Sequence, residues 1–217
     1  LLRYLKKIFY NSVAELRLNK AGLPQSTGVS EKIGDQQADC MLGWNNSFRY
    51  KNFALSFQID GRLGGDIYSY TNYALQIAGR AECTAPGGMR ENFVVDGVIA
   101  QQDGTYAPST IKVSQQDYWQ AIGTGNTGIG EANIYDATNI RLRNIALNYS
   151  FPSSMLKKTI FQQLKLGFSV NNVWMIYSDM NGIDPEAVFI TNTNATGFEN
   201  CASPTSRSYL FNVTLGF

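Results

Sequence analysis

The side chains that perform most covalent chemistry in proteins are scarce or scattered in this chain. It contains no histidine among its 217 residues, which excludes Ser–His and Cys–His nucleophilic catalysis and the usual zinc ligands. Cys40, Cys83 and Cys201 form an odd set without CxxC spacing, which argues against a metal cluster or a redox motif. Cys83 and Cys201 either pair with each other or remain free thiols. The sequence therefore predicts that the chain is not an enzyme and holds neither a metal nor a cofactor.

The remaining candidate residues are suited to binding. Tyr118 and Trp119 are adjacent aromatics that either contact a substrate, such as a sugar ring, or close the core of a loop. Arg62 and Asp66 flank the pair Gly64-Gly65. They either lie beside a substrate path, or Arg62 pairs with Asp66 across a bend that the glycines make. All four charged and aromatic residues are candidate substrate contacts.

Five segments that alternate with a period of two supply the frame for these residues. Successive side chains of a strand point to opposite faces, so each segment is apolar on one face and mostly small or polar on the other. The first of these two faces is called the apolar face. Its members, in chain order, are Trp44, Asn46, Phe48 and Tyr50; Phe53, Leu55, Phe57 and Ile59; Ile145, Leu147, Tyr149 and Phe151; Leu164, Leu166, Phe168 and Val170; and Tyr209, Phe211, Val213, Leu215 and Phe217.

Two architectures share this alternation. A soluble β-sandwich turns the apolar face inward, whereas a transmembrane barrel turns it towards lipid and places aromatics at the headgroup levels. The connections between the five segments are short (51–52), long (63–140), moderate (152–163) and long (175–207). In an antiparallel meander both long connections fall on one side, as in barrels with long extracellular loops and short periplasmic turns. The sequence therefore predicts an all-β fold, formed by antiparallel strands of a transmembrane β-barrel over residues 36–217, with residues 1–35 unassigned.

Charge and hydropathy agree with this fold. The net charge of +1 offers no basic surplus for nucleic acid. No apolar run reaches the roughly 18 residues of a transmembrane helix, but barrel strands need only about 9–11. Leu1–Tyr10 lacks the apolar core and cleavage site of a signal peptide. Because an exported protein needs such a signal, we expect the chain to be part of a longer protein.

Two charged groups need partners in this fold. Arg141 and Arg143 are expected at the lumen or the outer rim, paired with carboxylates such as Asp60, because lumenal charges need such partners. Asp184 and Glu186 could bind a cation through oxygen ligands. Two carboxylates are too few for a calcium site, so a rigid turn is the preferred interpretation.

Several stretches, in this order, resemble the C-terminal region of the SusC/RagA-type TonB-dependent transporters. The resemblance covers about residues 34–217. It rests on Gly34-Asp35, Phe48–Phe53, Asp60–Ser69, Asp136–Ile145, Gly182–Glu186, and Ser206–Tyr209 continuing to Phe217.

The resemblance implies a complete barrel of about 22 strands, located in the bacterial outer membrane, of which this chain supplies the last few. It also implies a plug domain and a segment that contacts TonB, both N-terminal to this chain. A SusD-like surface lipoprotein would cover the barrel, and the pair would import oligosaccharides or peptides.

The last segment resembles the signal that the barrel-assembly machinery recognises in outer-membrane proteins. The signal residues are Tyr209, Phe211, Val213, Leu215 and Phe217. The alternative is an ordinary half-buried strand.

Two other functions remain open at this point. The first is a soluble β-sandwich carbohydrate-binding module with aromatic loops, and the second is a secreted β-rich hydrolase, which the lack of a nucleophile motif disfavours.

Overall fold

The computed structural model describes residues 5–8, 15–123, 128–180, 182–190 and 195–217. Its regular segments are mostly strands, so the predicted all-β class is confirmed. Within the described ranges, none of the helices has the length and apolar character required to cross a membrane. The helices are α1 (Tyr70–Ile77), α2 (Gln115–Ile122) and α3 (Ser153–Leu156), with 3₁₀ turns at Glu82–Thr84, Pro86–Gly88 and Gly130–Asn133. The strands are β1 (Leu5–Ile8), β2 (Arg17–Leu18), β3 (Ser26–Glu31), β4 (Cys40–Tyr50), β5 (Phe53–Leu63), β6 (Asp66–Ser69), β7 (Phe93–Val94), β8 (Val98–Ala100), β9 (Tyr106–Pro108), β10 (Lys112–Val113), β11 (Ile134–Asp136), β12 (Asn139–Ser150), β13 (Gln163–Ser178), β14 (Phe198–Glu199) and β15 (Ser208–Gly216).

The chain folds into two compact units. The first, called the sheet unit, comprises Gln37–Gly65, Asp136–Glu186 and Ser203–Phe217. The second, called the loop unit, comprises Leu1–Gln36, Asp66–Tyr135 and Ala187–Ala202. The loop unit contains most of the two long connections, together with the N-terminal segment that the sequence left unassigned. These connections therefore have a fold of their own, which the sequence pattern did not predict.

The sheet unit is one antiparallel sheet with the order β15-β13-β12-β5-β4. Each of the five alternating segments is one of its strands, and each strand pairs with its neighbour in chain order, so the predicted meander is confirmed. Lys51 begins the two-residue connection from β4 to β5 with a φ of 51°, as tight hairpin turns require at their first position. Among the described residues the outer edges of β4 and β15 pair with no further strand. The sheet is open, and closure into a barrel stays a prediction.

The register aligns the apolar residues of neighbouring strands on one face. Leu55 lies opposite Phe48 on one side and Leu147 on the other, and Phe168 lies opposite Phe211. The rings of Phe168 and Phe211 are in contact, with centroids 4.8 Å apart. Much of this face is exposed within the structure, with relative accessibilities of 55% for Phe48 and 80% for Phe211. The inward face of a soluble β-sandwich would be buried instead.

A β-bulge in β12 brings two arginines to the polar face of the sheet. With uninterrupted alternation, Arg141 would share the apolar face with Ile145. The register shift between residues 142 and 144 inserts Arg143 as an extra residue and brings Arg141 opposite Asp60. Bulges commonly re-aim side chains in this way. Both arginines therefore lie on the polar face of the sheet, and their position at a lumen or an outer rim stays a prediction.

Among its described residues, the loop unit has two small cores. The first contains Leu18, Val95 and Val113, and the second contains Tyr68 and Tyr73, all nearly inaccessible to solvent. Burial of such side chains contributes about 1.5–3 kcal/mol each, which holds strands of only two to four residues in place. Partly buried neighbours are Leu16, Leu23, Phe93, Ile99, Ile111 and Tyr118 in the first core, and Ile33, Tyr70, Ile134 and Phe198 in the second.

Candidate functional site

A network of ion pairs lies on the polar face of the sheet unit. Arg141 Nη2 donates to Asp184 Oδ1 at 2.6 Å, and Arg143 Nε donates to Asp60 Oδ2 at 2.8 Å. Glu186 accepts from the guanidinium of Arg143 with both carboxylate oxygens. The predicted pairing of this face's arginines with Asp60 is confirmed for Arg143. Bidentate pairs of this kind fix geometry as well as charge.

Asp184 is the most enclosed carboxylate of the network, with a side chain 10% exposed. Its Oδ2 accepts from the backbone N–H and the hydroxyl of Thr205, at 2.9 and 2.6 Å. Burial alone would raise the pKa of Asp184, but the hydrogen bonds from Arg141 and Thr205 outweigh it and hold this pKa well below its usual range. Because Asp184 and Glu186 bind arginines, the interpretation of their segment as a rigid turn fits the structure better than a cation site.

The network fastens two connecting segments to β12. Residues 184–186 are held through Arg141 and Arg143, and residue 205 through its own hydrogen bonds to Asp184. A cavity of about 410 Å³ beside the network is lined by Arg141, Asp184 and Thr205, among others. The role of Thr205 could not be predicted from the sequence, because a lone threonine 21 residues from its carboxylate partner leaves no pattern.

Arg62 and the glycines after it form a bend, as in one of the two alternatives that the sequence left open. Arg62 Nε donates to the carbonyl oxygen of Gly64 at 3.4 Å. Gly64 and Gly65 have φ values of +72° and +84°, which disfavour any residue with a Cβ. A Cβ on Gly64 would also lie only 2.2 Å from Asp39 Oδ2. The glycines are therefore required by the local backbone.

Asp66 begins β6 in the loop unit. Its Oδ2 accepts from the backbone N–H of Asp35 at 2.7 Å, and its own N–H donates to the carbonyl oxygen of Asp35 at 2.6 Å. These bonds tie the Gly34-Asp35 stretch to the start of β6. The pairing of Arg62 with Asp66, and the role of either residue as a substrate contact, stay predictions.

Tyr118 and Trp119 lie side by side on α2, with ring centroids 5.1 Å apart. Tyr118 packs edge-on against Phe93 at 5.3 Å and belongs to the first core of the loop unit. Its main contacts are therefore those of a residue that closes a loop core. Trp119 donates its Nε1–H to Gln115 Oε1 at 3.2 Å. This bond holds the indole in one orientation on the helix surface, where it remains partly exposed.

Trp119 and Gln115 lie between two cavities and line both of them. The smaller cavity has a volume of about 270 Å³, and the larger one about 430 Å³. The helical spacing of four residues could have predicted the pairing of Gln115 with Trp119, but the other lining residues come from segments without periodicity. They are Gln76, Ile77, Ala78, Gly79, Thr84, Arg90, Gln116 and Gln120 for the smaller cavity, and Cys83, Pro86, Met89, Glu91, Asn92, Phe93 and Tyr118 for the larger.

The segment that resembles an assembly signal forms β15. Tyr209, Phe211, Val213 and Leu215 lie opposite apolar residues of β13 and share the apolar face. Phe217 follows the strand, and its ring lies 5.4 Å from that of Phe161. Recognition of this strand by the barrel-assembly machinery stays a prediction.

The three cysteines at positions 40, 83 and 201 are free and exposed. Of the two alternatives that the sequence left open for Cys83 and Cys201, the structure has the free thiols.

Comparison with curated proteins identifies relatives of this chain, although no family model matches it. TonB-dependent receptor P3 of Formosa agariphila is 27% identical over 197 residues, which are 88% of this chain and 18% of the relative. TonB-dependent receptor P39 of the same organism is 29% identical over 187 residues, which are 85% of this chain and 17% of the relative. The chain is similar to TonB-dependent receptors over most of its length. It spans less than a fifth of the length of these two receptors.

Solved structures show the same relationship at the level of the fold. The RagAB peptide importer in its open-open state superposes with a TM-score of 0.62 at 14% identity, covering 99% of this chain and 22% of the importer chain. The same importer in its closed-closed state superposes with a TM-score of 0.60 at 13% identity, covering 99% of this chain and 23% of the importer chain. The predicted resemblance to SusC/RagA-type TonB-dependent transporters and the predicted location in the bacterial outer membrane are confirmed. The relatives are receptors and transporters, which agrees with a chain that is not an enzyme.

Proposed function

We propose that this chain forms the C-terminal part of the barrel, with part of its extracellular loops, in a TonB-dependent importer of oligosaccharides or peptides. The observation that carries the proposal is the open five-stranded sheet with an exposed apolar face. Lipid cannot satisfy the hydrogen bonds of free strand edges, so such a sheet is stable in a bilayer only as part of a closed barrel. Strands from the remainder of a longer protein would close it.

In this proposal the two faces of the sheet have different tasks. The apolar face contacts outer-membrane lipid, and the polar face lines the lumen. The ion pairs of Arg141 and Arg143 hold the segment 184–186 against the lumenal side of the sheet. Trp119, Tyr118, Arg62 and Asp66 are the proposed substrate contacts.

The proposed partners follow from the family resemblance. A SusD-like lipoprotein would cover the barrel, TonB would supply energy through the N-terminal region outside this chain, and the barrel-assembly machinery would recognise β15. The RagAB importer that shares this fold transports peptides, which supports import as the general activity. Both peptides and oligosaccharides are kept as substrate classes.

The function is tested in cells that express the longer receptor containing this chain. We expect the receptor in the outer-membrane fraction, and uptake of labelled peptides or oligosaccharides that stops when TonB is deleted. Uptake that is unchanged in the TonB-deleted strain, or a receptor found in the soluble fraction, would contradict the proposal. A soluble carbohydrate-binding module is not favoured, because the exposed apolar face would cause such a module to aggregate.

A further inference from the structure

We propose that the two cavities beside Trp119 form one site for a peptide, with an apolar side chain in the larger cavity and a carboxylate group at the smaller one. The inference rests on the proposed function, because it names the substrate class and its contacts. Both cavities lie within the loop unit, and all lining residues belong to the described range 76–120.

The two cavities differ in chemistry. The larger one is lined by Pro86, Met89, Phe93 and the rings of α2, which offer apolar and polarizable contact surface. Methionine and aromatic side chains adapt to apolar groups of varied shape. The smaller one is lined by four glutamines, whose side-chain amides carry both hydrogen-bond donors and acceptors. Those glutamines are Gln76, Gln115, Gln116 and Gln120.

Opposite charges flank the pair of cavities. Arg90 lines the smaller cavity, and its Nη2 is anchored by one hydrogen bond to the carbonyl oxygen of Gly79 at 2.6 Å. Glu91, the next residue, lines the larger cavity. Neither Arg90 nor Glu91 is part of an ion pair within the described residues. The guanidinium of Arg90 can therefore bind an anionic group of a ligand at the smaller cavity. The carboxylate of Glu91 can bind a cationic group at the larger one.

This combination selects one class of ligand. A neutral oligosaccharide carries no charge for Arg90 or Glu91, and an acidic oligosaccharide carries only the sign that Glu91 repels. A peptide has a terminal ammonium, a terminal carboxylate, backbone amides that match the glutamines, and apolar side chains for the larger cavity. Alternate side chains of an extended peptide point the same way, so two neighbouring cavities can take successive groups of one chain.

Binding to the purified longer receptor tests the inference. The receptor in detergent is equilibrated with an equimolar library of hexapeptides, with the same library amidated at the C-terminus, and with neutral hexasaccharides. Retained molecules are identified by mass spectrometry. We expect retention of peptides enriched in apolar side chains, weakened about fivefold by amidation, since an exposed ion pair contributes about 1 kcal/mol at most.

Two variants and one matched control assign the contacts. Trp119→Ala should weaken retention about tenfold or more, as for an aromatic at the centre of a binding site. Arg90→Gln should abolish the difference between free and amidated peptides. Arg80→Gln removes the same charge from an exposed position that lines neither cavity. It should leave peptide retention and the effect of amidation unchanged. Circular dichroism checks that each variant is folded.

The outcomes separate this inference from the proposed function. Retention of hexasaccharides instead of peptides, retention of neither, or equal retention by wild type and Trp119→Ala would overturn the inference. TonB-dependent uptake of any of these molecules would leave the proposed function standing. Peptide retention without TonB-dependent uptake would support the site and contradict the importer.

Discussion

The sheet unit and the loop unit use the same kinds of side chain in opposite ways. In the sheet unit, large apolar side chains such as Phe211 and Val213 are exposed, at 80% and 61%, while Arg141 is only 4% exposed and bound to carboxylates. In the loop unit, Leu18 and Val113 are buried at 2% and 6% and form a core. The contrast agrees with the proposal that the sheet unit faces lipid and the loop unit faces water.

The largest effect is expected from a charge on the apolar face. Leu147→Arg, in β12, should destabilise the receptor by about 2–4 kcal/mol, the cost of an arginine facing lipid near the bilayer midplane. Val94→Arg is the matched control in the loop unit, since Val94 is 42% exposed and Leu147 is 46% exposed. The measurement is urea unfolding of the longer receptor in lipid vesicles. Equal losses of unfolding free energy for the two substitutions would contradict the proposal that the sheet unit, and not the loop unit, faces lipid.

The next largest effect concerns the ion pairs of the polar face. Arg143→Gln leaves Asp60 and Glu186 without the guanidinium that binds both, and it should cost roughly 2 kcal/mol, because partly buried charges need a counter-charge. Arg49→Gln is the control, since Arg49 is exposed and has no ion pair among the described residues.

A second substitution tests the charge itself. Adding Asp60→Asn to Arg143→Gln should restore part of the lost stability, because Asp60 is the carboxylate left without its ion pair, whereas Glu186 still lies 3.3 Å from Arg141 Nη1. A double variant less stable than Arg143→Gln alone would contradict the electrostatic explanation.

The strands of the sheet unit and the bulge within β12 were not equally predictable from the sequence. The strands of the sheet unit could be predicted because each is nine or more residues long and alternation with period two runs through much of it. The bulge at Arg143 could not be predicted, because strict alternation assigns Arg141 to the apolar face. Only the three-dimensional pairing with Asp60 reveals the extra residue.

The fold of the loop unit could not be predicted from the sequence for a different reason. Many of its strands have only two to four residues, such as β2 and β7, too few for any period to be detected. Its cores combine residues far apart in the chain, such as Leu18 with Val113. The chemistry of Tyr118 and Trp119 alone made them candidate substrate contacts, and their different environments are evident only in the structure.

The pH dependence of stability gives a smaller effect, again in the sheet unit. The folded-state pKa of Asp184 lies below its usual value, so its stabilisation is complete above the unfolded pKa of about 4 and is lost as the pH falls towards the folded pKa. The stability difference between wild type and Asp184→Asn should therefore shrink by about 1–2 kcal/mol from pH 6 to pH 3. A difference that stays constant over this range would show that Asp184 acts by packing alone.

The smallest effect is expected at the hairpin between β4 and β5. Lys51 has a φ of 51°, a conformation that is strained for a residue with a Cβ. Lys51→Gly should stabilise the sheet by about 0.5 kcal/mol, because relief of about 1 kcal/mol of strain is partly offset by the greater unfolded-state entropy of glycine. Asn52→Gly is the control: the φ of Asn52 is not positive, so this change should destabilise slightly. Stabilisation by both changes would contradict the explanation.

Contact with lipid is the central claim, and photocrosslinking at two adjacent positions of β15 tests it most directly. A benzophenone amino acid is placed at Phe211, on the apolar face, or at Asn212, on the polar face, in the receptor within intact outer membranes. We predict lipid adducts from position 211 and few or none from position 212. Equal lipid labelling at the two positions, or adducts only with protein from position 211, would contradict the account.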